Sequence, residues 1–285
     1  MQKHRRLLLA FVSLGIAAGL GPAQAAAMEP SMTSTQQWNA ASFSLTPEAG
    51  SPPEFGSCIK VTGGAYTDAG CTKTTGESGK AFEWYPAFGG AHPLSNVTFT
   101  IALKEATVAT LETVGGLTMQ CEGETGAGEY TGNKTIGNIV LKFTNCKASG
   151  VSCHSAGAAE GTIVTNTLEG VLGVEELAAE PVNYKIGQDL FPVGRSGPMA
   201  TFTCSGGISL SITGSIISPL VSNAMKFSTQ VKTKAAGGKQ KPENFVGETP
   251  EPLKSKVNEE PAEQAGETMT TIQTSVEKVE VNSVL

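Results

Sequence analysis

The chain has 285 residues, 39% of them hydrophobic and 16% charged, with 34 glycines and a formal net charge of −6. Without Lys3, Arg5 and Arg6 in its first segment the net charge falls to −9, and Arg195 is the one arginine left. Clustered Lys and Arg for phosphate contacts are therefore lacking, which argues against nucleic-acid binding and against attraction to anionic lipid.

Met1 to Arg6 is a basic stretch, and Leu7 to Leu20 is apolar apart from Ser13, Gly15 and Gly19. Gly21-Pro22 then leads into Ala23-Gln24-Ala25-Ala26-Ala27, so residues 1–27 read as an export signal cleaved after Ala25 or Ala27. The apolar run is shorter than the ~20 residues that span a bilayer, and no transmembrane segment is expected in the mature chain. Residues 28–56 carry Pro30, Pro47, Pro52 and Pro53 and read as an extended arm, with Phe43-Ser44-Leu45 pairing at a sheet edge.

A main β domain is expected over 57–234. Cys58 to Val61 opens it as a strand, and turns at Gly63-Gly64 and Asp68-Ala69-Gly70 lead to Cys71. Phe82-Glu83-Trp84-Tyr85 is an aromatic segment. Val97 to Ile101 and Thr107 to Val114 alternate apolar and polar residues with the period of two that one buried sheet face requires. Gly115-Gly116 predicts a hairpin into Leu117 to Cys121, and Gly123 to Gly132 reads as a glycine-rich polar loop. Further strands are expected over 135–145, 161–165, 168–173, 183–187, 201–204 and 208–217, with a short helical turn within 174–180. Residues 235–269 are rich in Gly, Lys, Pro and Glu and read as a polar loop or linker. A last strand over 270–285 adds to the main domain. Ile272, Thr274 and Val276 lie on one face of it and Val279 and Val281 on the other, which predicts a bulge near Glu277-Lys278.

The fold class expected is all-β, an antiparallel β-sandwich or barrel stabilised by disulfides, with long surface loops. Cys58, Cys71, Cys121, Cys146, Cys153 and Cys204 all follow the export signal, where thiols oxidise. Six cysteines permit 15 connectivities. The spacings favour Cys58–Cys71 and Cys146–Cys153, which leaves Cys121–Cys204 by elimination.

Several segments together resemble a large, uncharacterised family of secreted, disulfide-containing β-rich proteins of high-GC Gram-positive (actinobacterial) bacteria. They are Cys58-x-Lys60 with Gly64-x-Tyr66, Cys71-Thr72 and Glu83-Trp84; Cys121 with Thr135 to Val140 and Phe143-Thr144-x-Cys146; and Cys153-His154-Ser155 with Gly157 to Gly161 and Leu168 to Gly173. The resemblance implies a shared scaffold and an exported location, and brings no activity with it.

The catalytic inventory is thin. No Cys-x2-Cys pair suggests zinc, no phosphate or dinucleotide loop is present, and no metal or cofactor is expected. Past residue 27 the chain has two histidines, His92 and His154, and two aspartates, Asp68 and Asp189, without a Gly-x-Ser-x-Gly elbow. No catalytic residue is assigned. The leading expectation is a non-enzymatic binding or structural module, secreted or held at the cell surface, whose ligand is a polysaccharide or a protein. Trp84, Tyr85 and Phe88 are its candidate binding residues. The alternative is a glycosidase-like extracellular hydrolase using a glutamate pair, drawn from Glu122, Glu124, Glu129, Glu160 and Glu169.

Overall fold

The computed structural model describes residues 53–74, 79–180 and 183–283. Residues 1–27, read from the sequence as an export signal, Phe43-Ser44-Leu45 and most of the expected arm lie outside these residues. In chain order the strands are β1 (Glu54–Lys60), β2 (Phe82–Pro86), β3 (Thr98–Leu103), β4 (Ala109–Thr113), β5 (Thr118–Cys121) and β6 (Gly123–Tyr130). They continue with β7 (Thr135–Thr144), β8 (Lys147–Ala148), β9 (Val151–His154), β10 (Ile163–Val164), β11 (Leu168–Glu176), β12 (Lys185–Pro192) and β13 (Ala200–Cys204). The last are β14 (Ile208–Thr213), β15 (Ile216–Pro219), β16 (Lys226–Ala235), β17 (Gln240–Lys241), β18 (Lys254–Val257) and β19 (Glu263–Asn282).

The neighbour relations close on themselves, which makes the fold an antiparallel barrel with outer strands. From β19 the hydrogen-bonded path runs through β3, β6, β7, β11, β12 and β15, then β16, and back to β19. The β15–β16 closure is made by the bridge Leu220↔Val231, with Val221 N donating to Gln230 O at 2.9 Å. A second closed circuit leaves β19 through β4, β5, β8, β9, β13 and β14 and returns by β18. β19 belongs to both. Its residues 265–268 pair with β4 and its residues 271–275 pair with β3. β1 pairs with the end of β19 and carries β2 on its other edge.

Exposed strand positions of the barrel mix Thr98, Thr100, Asn138, Lys142, Lys232 and Lys234 with Val140 and Val276, whereas a lipid-facing barrel needs a continuous apolar band. Among the described residues no helix is long and apolar enough to cross a membrane. The core behind these strands holds Phe99, Ile139, Leu168 and Ile186, all almost fully buried.

Several expectations are corrected. Residues 54–56 belong to β1, not to an arm. The glycine-rich stretch from Gly123 is β6, a central barrel strand. A Cβ at Gly128 would stand 2.6 Å from the Phe99 ring, and one at Gly126 would stand 2.7 Å from Leu141 Cδ2. Glycine is used there because neighbouring side chains already fill the space, not to make a loop. Residues 208–217 form two strands broken at Gly214, whose φ of +89° an ordinary strand residue does not adopt. Val174 to Glu176 extends β11, so the helical turn is absent there.

The supposed linker 235–269 holds the end of β16, β17, β18 and the start of β19. Its lysines and most of its glutamates lie toward the surface, while Gln240, Phe245, Leu253, Ser255 and Ala265 are buried and Glu267 turns inward. The Phe245 ring lies against Gly173, where an added Cβ would be 2.1 Å from it. Average polarity hid a small set of apolar anchors.

All six cysteines are bridged, as Cys58–Cys71, Cys121–Cys146 and Cys153–Cys204. The first matches the spacing argument and the other two correct it. Cys153 stands opposite Cys204 in the β9–β13 register, while its own N–H goes to Cys146 O at 3.0 Å. Ser205 N donates to Ser152 O, so Cys153 and Cys204 form a non-hydrogen-bonded pair, the type in which opposed Cα atoms come closest. Their Cα atoms are 3.8 Å apart, and those of Cys121 and Cys146 are 4.0 Å apart. The short hairpin from 146 to 153 therefore brings its cysteines together through the backbone while each sulfur turns to an outer neighbour.

Peptide mapping of the oxidised protein should recover Cys121–Cys146 and Cys153–Cys204 and no Cys146–Cys153 fragment. Replacing Cys153 and Cys204 together by serine should lower unfolding stability in urea by about 2–5 kcal/mol, since this bridge closes the longest of the three loops.

Candidate binding site in the barrel interior

Alternation on β6, β12, β15, β16 and β19 turns one face of each strand into the barrel, and that face is unusually polar. Tyr130, Gln188, Ser218, Thr233, Thr271, Gln273 and Ser275 are all buried. Their hydrogen bonds are largely internal. Tyr130 Oη and Ser275 Oγ are 2.7 Å apart, Gln273 Nε2 donates to Tyr130 Oη at 3.2 Å, and Thr233 Oγ1 accepts from Met269 N at 3.0 Å.

Toward the second circuit the interior becomes apolar and leaves a cavity of about 80 Å³. Ala109 and Leu111 of β4, Met119 and Cys121 of β5, Leu141 and Phe143 of β7, and Ile163 of β10 form part of its wall. Leu168, Leu190, Met199, Ile212, Ile216, Leu253 and Met269 complete the apolar part, and Thr165 and Glu267 are the two polar lining residues. Both circuits thus contribute walls to one space.

Two carboxyls face this region. Glu267 follows the inward parity of Ala265 and Met269 on β19, opposite Leu111 of β4. Its N–H donates to Gln240 Oε1 at 2.8 Å, which holds the backbone in place. It is enclosed by protein yet keeps surface open to the cavity. Glu124 of β6 is 4% exposed, and both of its carboxyl oxygens are buried without a hydrogen-bond partner among the described residues. It borders a smaller space with Gln188, Ser218 and Thr233, and Leu141, Leu190 and Met269 line that space and the main cavity alike.

Burial raises the Glu124 pKa to about 8, with the charge of Glu267 adding to the effect, and burial alone raises Glu267 to about 7. Glu175 and Glu280 are also pushed up to about 7, chiefly by burial.

The aromatic trio is not assembled into one platform. Trp84 and Tyr85 are successive residues of β2 and point to opposite faces. Trp84 Nε1 donates to Glu54 Oε1 at 2.7 Å, and its ring covers Gly56. The Tyr85 ring meets His92 edge-on at 4.4 Å between centroids. Phe88 packs against the core. Ser155, beside His154, is committed to structure: its Oγ accepts from Val164 N at 3.0 Å and lies 3.0 Å from Thr201 O. Arg195 bridges Asp189 and Glu251 and stacks on Phe191 at 3.7 Å, leaving Asp189 Oδ1 buried without a hydrogen-bond partner among the described residues.

Of the glutamates singled out in the sequence, Glu122 and Glu129 accept from Asn145 Nδ2 and Asn138 Nδ2, Glu169 accepts from Gly194 N, and Glu160 is exposed. Only Glu124 is interior, and its companion Glu267 lay in the segment read as a linker. Compared with family models, with curated proteins and with solved structures, the chain matches none of them.

The raised carboxyl pKa values set the sign of a pH effect. In the unfolded chain these groups ionise near 4.5. Between that pH and about 8 the folded protein holds protons that the unfolded chain has lost, so stability is full below about 4.5 and falls as pH rises. The slope is about 1.4 kcal/mol per pH unit for each group in transition. Urea midpoints should therefore fall from pH 5 to pH 8, and Glu124→Gln should flatten the decline. Identical slopes in both proteins would contradict a buried Glu124.

Proposed function

We propose that this protein is an exported, non-enzymatic binding module that carries a small, largely apolar molecule inside its barrel. The observation that carries the reading is the cavity of about 80 Å³ walled by Leu, Ile, Met and Ala from both strand circuits. Enclosed apolar space forfeits dispersion contacts, and a ligand of matching shape restores them. Bridging of all six cysteines supports export, because such bonds persist in oxidising compartments.

The hydrolase alternative gains less from the same geometry. Glycoside cleavage needs two carboxyls flanking a sugar whose hydroxyls find polar partners. Glu124 and Glu267 instead sit beside a wall of aliphatic side chains. Trp84 and Tyr85, facing opposite ways, offer no stacking platform for a polysaccharide either.

Methyl NMR tests the reading directly, because Met119, Met199 and Met269 all line the cavity. Dissolved xenon or 1-butanol should shift these three methyl resonances saturably while the methyl of Met225, which does not line it, stays in place. Uniform small shifts, or none, would show that the interior is not a binding space.

A further inference from the structure

The interior binding reading says nothing of the head group a ligand would carry, and the carboxyls supply that. Glu124 keeps both oxygens buried and unpaired, and a buried acceptor without a donor is costly. Glu267, close enough to act on the charge of Glu124, opens into the apolar cavity. Among the described residues no Lys, Arg or His lines either space, so none of them answers the carboxyls there.

Resting on that reading, we propose that the cavity takes a short primary alkylamine, its ammonium group held by Glu267 at the wall of Leu141, Leu190 and Met269 that the cavity shares with the Glu124 space, and its tail lying among Leu111, Met119, Leu168 and Ile212. An ammonium group brings one positive charge and three N–H donors, which suits acceptor-only carboxylates. The tail is short, because a cavity of about 80 Å³ is roughly half the size of one that admits benzene, about 150 Å³. About three to five carbons fit that comparison. Carboxylate ligands of the same length would be repelled.

The exchange is chemically balanced without any co-reactant. Where the carboxyl pair retains a proton, the incoming ammonium ion takes its place and the proton leaves to solvent. The groups facing Glu124 are Ile101 of β3, Leu141 of β7, Gln188 and Leu190 of β12, Ser218 of β15, Val231 and Thr233 of β16, and Met269, Thr271 and Gln273 of β19, none of which titrates. Glu267 on β19 is thus the titratable group coupled to it. Binding should strengthen as pH rises from 6 to 8, by up to tenfold per unit for one displaced proton.

The test is calorimetry on the whole oxidised protein with n-butylammonium chloride, 1-butanol and sodium butyrate, in phosphate and in MOPS at pH 6 and pH 8. The expected result is butylammonium at least tenfold tighter than 1-butanol at pH 8, buffer-dependent heats that report proton release, and no butyrate binding. Glu124→Gln and Glu267→Gln should each erase the preference for the amine over 1-butanol. The pH arm on the unaltered protein stands even if a variant misfolds. Equal binding of 1-butanol and butylammonium would overturn the amine assignment and leave the interior reading standing. Binding of neither would overturn both.

Discussion

The architecture depends on one strand meeting two sets of neighbours. β19 runs for twenty residues, Glu263 to Asn282, and successive parts of it pair with β18 and β4, then β3 and β16, then β1. A closed sheet has no exposed edge only if every member has a partner on both sides. Removing β19 would open both circuits at once, which makes its continuity a stronger constraint than any single side-chain contact. The bridges Cys121–Cys146 and Cys153–Cys204 act on the opposite side of the second circuit, where β8 and β9 are too short to hold register by hydrogen bonds alone.

The same strand explains which parts of the fold were legible. Period-two alternation located β3 and β4, because each buries apolar residues on one face. On β19 that rule inverts. Thr271, Gln273 and Ser275 are buried, while Thr274 and Val276 are exposed. The bulge foreseen near Glu277-Lys278 falls where the β16–β19 register shifts, between Thr274 and Val279. The face turned inward is nonetheless the polar one, because the barrel interior at that level is a hydrogen-bonded network around Tyr130. The N-terminal third of β19 reads from composition as linker for another reason: its buried Ala265 and Met269 stand among Glu, Gln, Gly and Thr.

The candidate site was less legible still. Glu124 stood among several glutamates that sequence alone could not rank, and Glu267 carried no signal from average composition. The available clue was the parity run Glu267-x-Met269-x-Thr271-x-Gln273, alternating with Thr and Ile, which is a strand period with an unusual inner face. What singles out the two carboxyls is tertiary: β6 and β19 are separated by β3 in the barrel, and Glu124 and Glu267 border two spaces that share Leu141, Leu190 and Met269. Electrostatics then follow from burial. Two acids beside an apolar cavity cannot both ionise cheaply, so the interior is poised to accept a cation or to hold a proton.

Native-state hydrogen exchange resolved along residues 263–275 tests the shared-strand account most directly. The account predicts that amides of Ala265 to Thr268 and those of Thr271 to Ser275 exchange together, and only through global unfolding. Fast exchange over 263–269 with protection confined to 271–275 would mean that β19 serves one circuit alone, and would contradict it.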